Sequence, residues 1–311
     1  MKKKLHIILR YGITEKYLFK DLEKEMDIVL IPYMMEAPKN LFLKITRFLI
    51  VGRFPLPLCF LKIWFDKKFL ESLTQIKPID NLLVFESINP RILGMISLLI
   101  PKEVKKYNWF LNPIHSLLNG KNPTCRLREI ERFGFENITF DKADAKKFKL
   151  SYYTPFIRLP FDNTPVEEDI DFYFCGLAKD REQTLMQLKE TLEKANYKCL
   201  FIIPGTTQEK GISYEENIQF VKRSKCIIDI YQKEQTGITR RPLEALFYNK
   251  KLLTNNPDII NYDFYNSHNI YVLKQINITG IESFMNLDPI EISPSIKNKY
   301  DIRNWLIKFT H

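Results

Sequence analysis

Short apolar runs alternate along this chain with longer stretches whose apolar positions recur at helical spacing. In the first half the runs at residues 5–9, 28–31, 82–85 and 109–111 read as buried strands. The stretches 14–25, 41–51 and 58–73 between them read as helices. Residues 152–166 interrupt the rhythm, with Pro155, Pro160 and Pro165 in close succession, which marks a linker. The alternation then restarts with strands at 172–174, 200–203, 226–230, 251–254 and 270–273. Asp180 with Gln183, and Ser213 with Glu216, have the spacing of capping boxes at helix starts. Strands alternating with helices on both sides of a linker predict an α/β fold of two doubly wound domains, 1–155 and 156–311. Ligands of such folds bind at the carboxyl ends of the strands, often in the crevice between domains.

One stretch concentrates the candidate chemistry: residues 235–256, QTGITRRPLEALFYNKKLLTNN, just past a predicted strand end. Gln235, Thr236 and Gly237 break the apolar run, and Gly237 permits positive φ. Thr239 suits an N-cap, and Pro242 falls in the first helical turn, where a missing N–H costs nothing. Leu243, Leu246 and Phe247 form an apolar stripe, and Asn249 is a fitting stop. The unpaired N–H groups and dipole of a helix start attract an anion, and guanidinium groups such as Arg240 and Arg241 grip phosphate oxygens in pairs. Glu244, near the same end, repels phosphate and is better suited to accept hydrogen bonds from sugar hydroxyls. The plainer reading is a capped surface helix with two solvated arginines.

Composition narrows the setting. The chain has 311 residues, 45% hydrophobic and 13% aromatic, which is enough apolar surface for full cores. Cys59, Cys125, Cys175, Cys199 and Cys226 are odd in number and widely spaced, which points to reduced thiols in a cytosolic compartment. The start, MKKKLHIILRYG, has an apolar core too short for a signal peptide and reads as a first strand. No apolar run is long enough to span a membrane. The net charge of +10 is uneven: residues 1–150 hold 27 basic against 16 acidic residues. Within them Lys39, Lys44, Arg47, Arg53, Lys62, Lys67 and Lys68 interleave with aromatics that include Phe65, Phe69 and Trp64. That mixture suits an anionic bilayer surface, with Lys44, Arg47, Arg53, Lys62, Trp64, Lys67 and Lys68 facing it. A buried helix with a solvated face and a nucleic-acid surface are the alternatives, and no nucleic-acid motif is present.

Four stretches carry a family resemblance: FDKADAKKF (140–148); DFYFCG (171–176) with Asp180-Arg181; SKCIIDIYQKEQTGITRRPLEAL (224–246); and LLTNNPDIINYDFYNSHNIYVL (252–273). Together they resemble the GT-B type glycosyltransferases that build lipopolysaccharide core and capsule in bacteria. The resemblance implies two Rossmann-like domains facing a cleft. It also implies transfer of a sugar, rhamnose among the candidates, from a nucleotide-sugar co-substrate to a lipid-linked glycan, with no bound metal or other cofactor. It places the protein in the cytoplasm, peripheral on the inner face of the inner membrane. Carried over residue by residue, Thr236, Gly237, Ile238 and Thr239 would present backbone N–H groups to the diphosphate. Arg240 or Arg241 would neutralise it, and Glu244 would meet the ribose hydroxyls. The family often has a second glutamate about seven residues before that position, where this chain has Gly237, with Glu234 further back.

An inverting enzyme needs a general base in the first domain. Glu86, after a predicted strand, and His115, in a loop, are the candidates. Asp169-Ile170-Asp171 has the form of a metal-binding DxD, yet it precedes a strand within an acidic run. No phosphate-binding GxxxxGK[ST] loop and no GxGxxG is present, and His6, His268 and His311 lack partners at metal-ligand spacing. Tyr262, Phe264 and Tyr265 could stack on a nucleobase or simply pack a wall. A nucleotide-sugar epimerase of the same fold and a non-catalytic membrane- or nucleic-acid-binding protein are the alternative functions.

Overall fold

The computed structural model of the chain describes residues 2–9, 13–33, 65–85, 89–117, 122–158, 164, 166–204, 211–231 and 236–310, with backbone only at Ile13, His115 and Ser116. They form two compact units: 1–153 with 306–311, and 154–305. The division thus falls close to the expected 155/156 boundary, but residues 306–311 group with the first unit.

In the first unit β1 (Leu5–Leu9), α1 (Ile13–Leu18), α2 (Leu22–Glu25), β2 (Ile28–Pro32), α3 (Lys67–Thr74) and β3 (Asn81–Phe85) come first. Then follow α4 (Pro90–Leu99), β4 (Lys105–Phe110), α5 (Ile114–Leu117), α6 (Pro123–Arg132), β5 (Phe135–Thr139), α7 (Lys142–Phe148) and β6 (Ser151–Tyr152). The strands are parallel in the order β2-β1-β3-β4-β5-β6. Every residue of β1 and β3 is buried, as expected for parallel strands covered on both faces. Phe69 and Leu73 of α3 pack with Leu93 and Ile96 of α4 on Ile8, Leu82 and Val84. α3 starts where it does because the Asp66 carboxylate accepts hydrogen bonds from the N–H groups of Lys68 (2.8 Å) and Phe69 (3.2 Å).

The second unit contains β7 (Ile170–Cys175), a 3₁₀ turn (Lys179–Arg181), α8 (Glu182–Lys194), β8 (Cys199–Ile202), α9 (Tyr214–Arg223) and β9 (Ser224–Asp229). It continues with α10 (Arg240–Phe247), β10 (Lys251–Thr254), β11 (Ile270–Val272), α11 (Ile281–Asn286), α12 (Pro294–Tyr300) and α13 (Ile302–Ile307), whose last residues belong to the first unit. The order is β11-β10-β9-β7-β8, again all parallel. In each unit the second strand lies on one side of the first and the third on the other. The winding therefore reverses between β1 and β3, and between β7 and β9. The expected fold class, two doubly wound α/β units, is present.

Several local expectations are corrected. The helix expected over 14–25 is broken at Asp21, whose φ of 59° ends α1 and restarts α2. The strand expected at 109–111 starts earlier, at Lys105, and β5 and the short β6 had no strong apolar signal. Ser213 and Glu216 do form a capping box, whereas Asp180 sits inside the 3₁₀ turn and α8 has no side-chain cap. Phe65 and Phe69, read with the membrane-facing aromatics, are core residues, and Lys67 and Lys68 are exposed beside them. Lys44, Arg47, Arg53, Lys62 and Trp64, the helix expected at 41–51, and Glu86 lie outside the described residues. Among the described residues no helix is long and apolar enough to cross a membrane.

Candidate functional site

The reversal between β7 and β9 leaves the carboxyl ends of two strands side by side, and Asp229, Arg181 and Arg241 meet there. Asp229 ends β9 and is 0% exposed. A buried carboxylate is costly unless paired and hydrogen-bonded. Its Oδ1 accepts from Arg241 Nη1 (3.0 Å) and Thr239 Oγ1 (2.9 Å), and its Oδ2 from Thr254 Oγ1 (3.4 Å). The Nε of Arg241 also donates to the carbonyl of Cys175 at the end of β7 (3.1 Å), so this side chain ties the two strand ends together. Its guanidinium lies 4.7 Å from the centroid of Phe174, within cation–π range.

A second arginine converges on the same place. Arg181, 6% exposed, donates from Nη1 to the carbonyl of Ile230 and from Nη2 to that of Leu177 (3.1 Å). Its guanidinium is 5.4 Å from the Phe174 centroid, and its buried Nε has no hydrogen-bond partner among the described residues. Burial, and then the charge of Arg241, push its pKa down to about 10, so it remains charged at neutral pH. The loop between the strand and these arginines turns at Gly176, where φ is 154°. A Cβ there would stand 2.4 Å from Arg241 Nη2. Only glycine satisfies both the backbone angle and the close approach.

The N-terminus of α10 adjoins this cluster. Thr239 caps it as expected, its Oγ1 accepting from the N–H of Arg241 (3.2 Å) while donating to Asp229. The preceding loop is held by Tyr231, whose hydroxyl donates to the carbonyl of Gly237 (2.7 Å) and whose N–H donates to Asn255 Oδ1 (2.7 Å). Gly237 does not have positive φ; among the described glycines Gly134, Gly176 and Gly280 do. Thr236 and Arg240 are partly exposed, and Ile238 is a fully buried anchor.

Glu244 occupies a different position from the one its sequence neighbourhood suggests. It is 5% exposed, and its Oε1 accepts from Tyr214 Oη (2.9 Å) and Asn217 Nδ2 (3.3 Å) of α9. Asn217 Oδ1 accepts in turn from Tyr173 Oη (2.9 Å) on β7. Burial raises the pKa of Glu244, opposed by the Tyr214 bond and by the charges of Arg241 and Arg240. The described contacts of Glu244 are therefore interior ones, joining α9, α10 and β7.

The remaining sequence candidates are dispersed. His115 is the second residue of α5, with its side chain outside the description. Asp169 pairs with Arg223 through both carboxylate oxygens, and Asp171 pairs with Lys225 (2.8 Å) and accepts from the N–H of Lys198 (2.8 Å). That DxD is thus engaged in ion pairs at the amino ends of the strands. Among the described residues no group of three or more His, Cys, Asp or Glu is arranged to hold a metal ion. Tyr262 and Phe264 are buried against each other, centroids 5.5 Å apart, as wall packing requires.

Arg181, Phe174, Gly176 and Asp229 lie in stretches that carry the resemblance but were given no site role from sequence. The available signal was Asp229 itself: one acid in the apolar run CIIDIY has to find a buried cation. A glycine closing DFYFCG at a strand end was the second clue.

No protein-family model matches the chain, and no curated protein does. Among solved structures it is similar to the DNA modifying enzyme β-glucosyltransferase, at 13% identity over 99% of this chain and 93% of that one, with a TM-score of 0.45. It is also similar to T4 phage BGT in complex with its UDP-glucose substrate, at 12% identity over 99% and 93%, with a TM-score of 0.47. A third is CalG4, the calicheamicin glycosyltransferase, at 10% identity over 100% and 95%, with a TM-score of 0.39. Scores and identities this low carry no functional weight.

Proposed function

We propose that the protein is a GT-B type, metal-independent glycosyltransferase whose second unit holds the diphosphate of a nucleotide-sugar at the carboxyl ends of β7 and β9. One observation carries this reading. Two guanidinium groups from separate segments, Arg181 and Arg241, stand over one ring, Phe174, against a single buried carboxylate, Asp229. The cluster has one more positive than negative charge, and the N-terminus of α10 adds a positive dipole end beside it. Those features favour an anion with several oxygens. They also stabilise the charge that builds on a departing nucleoside diphosphate, which is where such an enzyme lowers its barrier. The basic first half of the chain suits an acceptor linked to lipid at an anionic membrane surface, such as a lipopolysaccharide-core glycan, with rhamnose one candidate sugar.

The test is calorimetric titration of the protein with UDP, dTDP, GDP and CDP and their sugar conjugates, in the presence of a chelator. At least one nucleoside diphosphate binds, and Arg241→Gln weakens it by roughly tenfold or more, as loss of a charge-assisted contact to phosphate does. Binding of none of them overturns the proposal. Release of free sugar epimer instead of a glycosylated acceptor replaces transfer with epimerisation.

A further inference from the structure

The stripe of α10 that carries Arg241 and Glu244 is not its only face. Pro242, Ala245 and Leu246 form a second stripe at i, i+3 and i+4, rotated by roughly a third of a turn, and Asn249 follows just past the helix end. This stripe lines a half-enclosed cavity of ≈ 230 Å³ inside the second unit. The other walls are Leu252, Phe264, Ile290 and Ile292, so the lining is predominantly apolar.

The polar groups at its rim are already occupied. Asn249 Oδ1 accepts from Lys297 Nζ (2.6 Å), and Lys250 Nζ donates to Glu168 (2.6 Å) and to the carbonyl of Lys222 (2.5 Å). Asn269 closes on the 289–292 segment, donating from Nδ2 to the carbonyl of Ile290 (2.6 Å) and accepting the Ile290 N–H at Oδ1 (2.8 Å). Glu291 is exposed to solvent. Asn249, Lys250 and Asn269 are engaged by groups outside the cavity or by its own wall, so the apolar lining gives water few bonding partners, which favours a hydrocarbon occupant. An apolar cavity of about 150 Å³ takes a benzene ring, so this one takes roughly ten carbon atoms. Ile290, 43% exposed, stands at its wall, so an occupant can enter past an apolar side chain on the surface.

We infer that this cavity is a binding site for a small hydrocarbon group of about ten carbons, either a free apolar molecule or the end of a lipid chain. It is separate from the charged cluster, and the inference does not depend on that cluster's ligand.

The experiment titrates the full chain, without nucleotide, with 1-octanol and with indole by calorimetry. The same titrations are run on Ala245→Leu, which fills the space, and on Ile290→Trp, which alters the exposed wall and spares the core. Saturable one-site binding by the wild type, weakened by roughly tenfold or more in either variant, supports the site. A melting temperature for Ala245→Leu equal to or above the wild type supports it too, because filling an empty space does not strain a core. Absence of saturable binding of both probes, or undiminished binding in both variants, overturns it. Co-sedimentation with uncharged phosphatidylcholine vesicles, lost in Ile290→Trp, assigns the occupant to a lipid chain. Probe binding without co-sedimentation assigns it to a free molecule.

Discussion

At the amino ends of β1 and β3 the first unit buries His6 against Asp80, with Nε2 3.1 Å from Oδ2. At the carboxyl ends of β7 and β9 the second unit gathers Arg181, Arg241 and Asp229. The strand order is the same up to its first five strands. The Asp80 carboxylate also accepts from the N–H groups of Lys4 (3.0 Å) and Lys77 (2.9 Å), while His6 Nδ1 is buried without a hydrogen-bond partner among the described residues. In the second unit the Nε of Arg181 is likewise left over, but there two guanidiniums face one carboxylate. One winding can thus carry a carboxylate saturated by neutral donors or a cluster with an excess of cations suited to a ligand, depending on which strand ends hold the groups.

The comparison is broken most severely by Asp229→Ala. Removing the one carboxylate leaves the buried guanidinium of Arg181 beside the half-buried one of Arg241 with no counter-charge between them, at a cost of about 3–5 kcal/mol. Denaturant unfolding would show it as a lower midpoint, and an unchanged midpoint would mean that the charges are solvated after all. Gly176→Ala comes next. It combines a strained φ with a contact to Arg241, so a loss of roughly 1–3 kcal/mol is expected. The same variant is expected to weaken nucleoside diphosphate binding, because Arg241 has to move; calorimetry checks that part.

A smaller effect sharpens the other side. Burial pushes the His6 pKa below its ordinary 6.5, against the pull of Asp80. The folded form therefore binds its proton less readily than the unfolded form. The stability this contributes is fully present above pH 6.5 and is lost as pH falls through the folded pKa. For Asp80 burial works upward, but the N–H groups of Lys77 and Lys4 together with His6 outweigh it and hold the pKa below 3.8. Its contribution is lost only in stronger acid. Urea midpoints compared at about pH 8 and about pH 5 should fall for the wild type and fall less for His6→Ala. Equal falls would remove His6 from the account. The smallest effect is at a cap: Thr239→Ala costs about 1 kcal/mol. A thermal melt of that variant beside the wild type measures it.

The frame was legible because β1, β2, β3, β9 and β10 are short apolar runs, and parallel strands covered on both faces require such runs. β5 was not, since Glu136 and Asn137 dilute it. Asn137 is nevertheless interior, where its Oδ1 accepts from Asn108 Nδ2 of β4 at 3.1 Å. β4 was truncated in the reading because it opens on Lys105 and Lys106, yet Lys106 is buried. At the site, the Thr239 cap and the start of α10 followed from local rules. The capping box expected at Asp180 failed because Lys179 takes a φ of 50° and Arg181 is drawn inward to two carbonyls. Glu244 was read as a ligand-facing carboxylate because nothing in its own helix announces Tyr214 and Asn217, which approach it from α9. Such long-range partners have no signature in a local window.

The return of residues 306–311 to the first unit has a consequence for biosynthesis. Phe309, fully buried, packs edge-on against Tyr107 and Tyr153, and its carbonyl accepts from Asn81 Nδ2 at the head of β3. When residue 153 leaves the ribosome, that partner has not been made. At usual elongation rates it follows about ten to thirty seconds later. Throughout that interval the nascent first unit exposes the hollow around Tyr107, the place a chaperone would shield. The unit translated first is in this sense completed last.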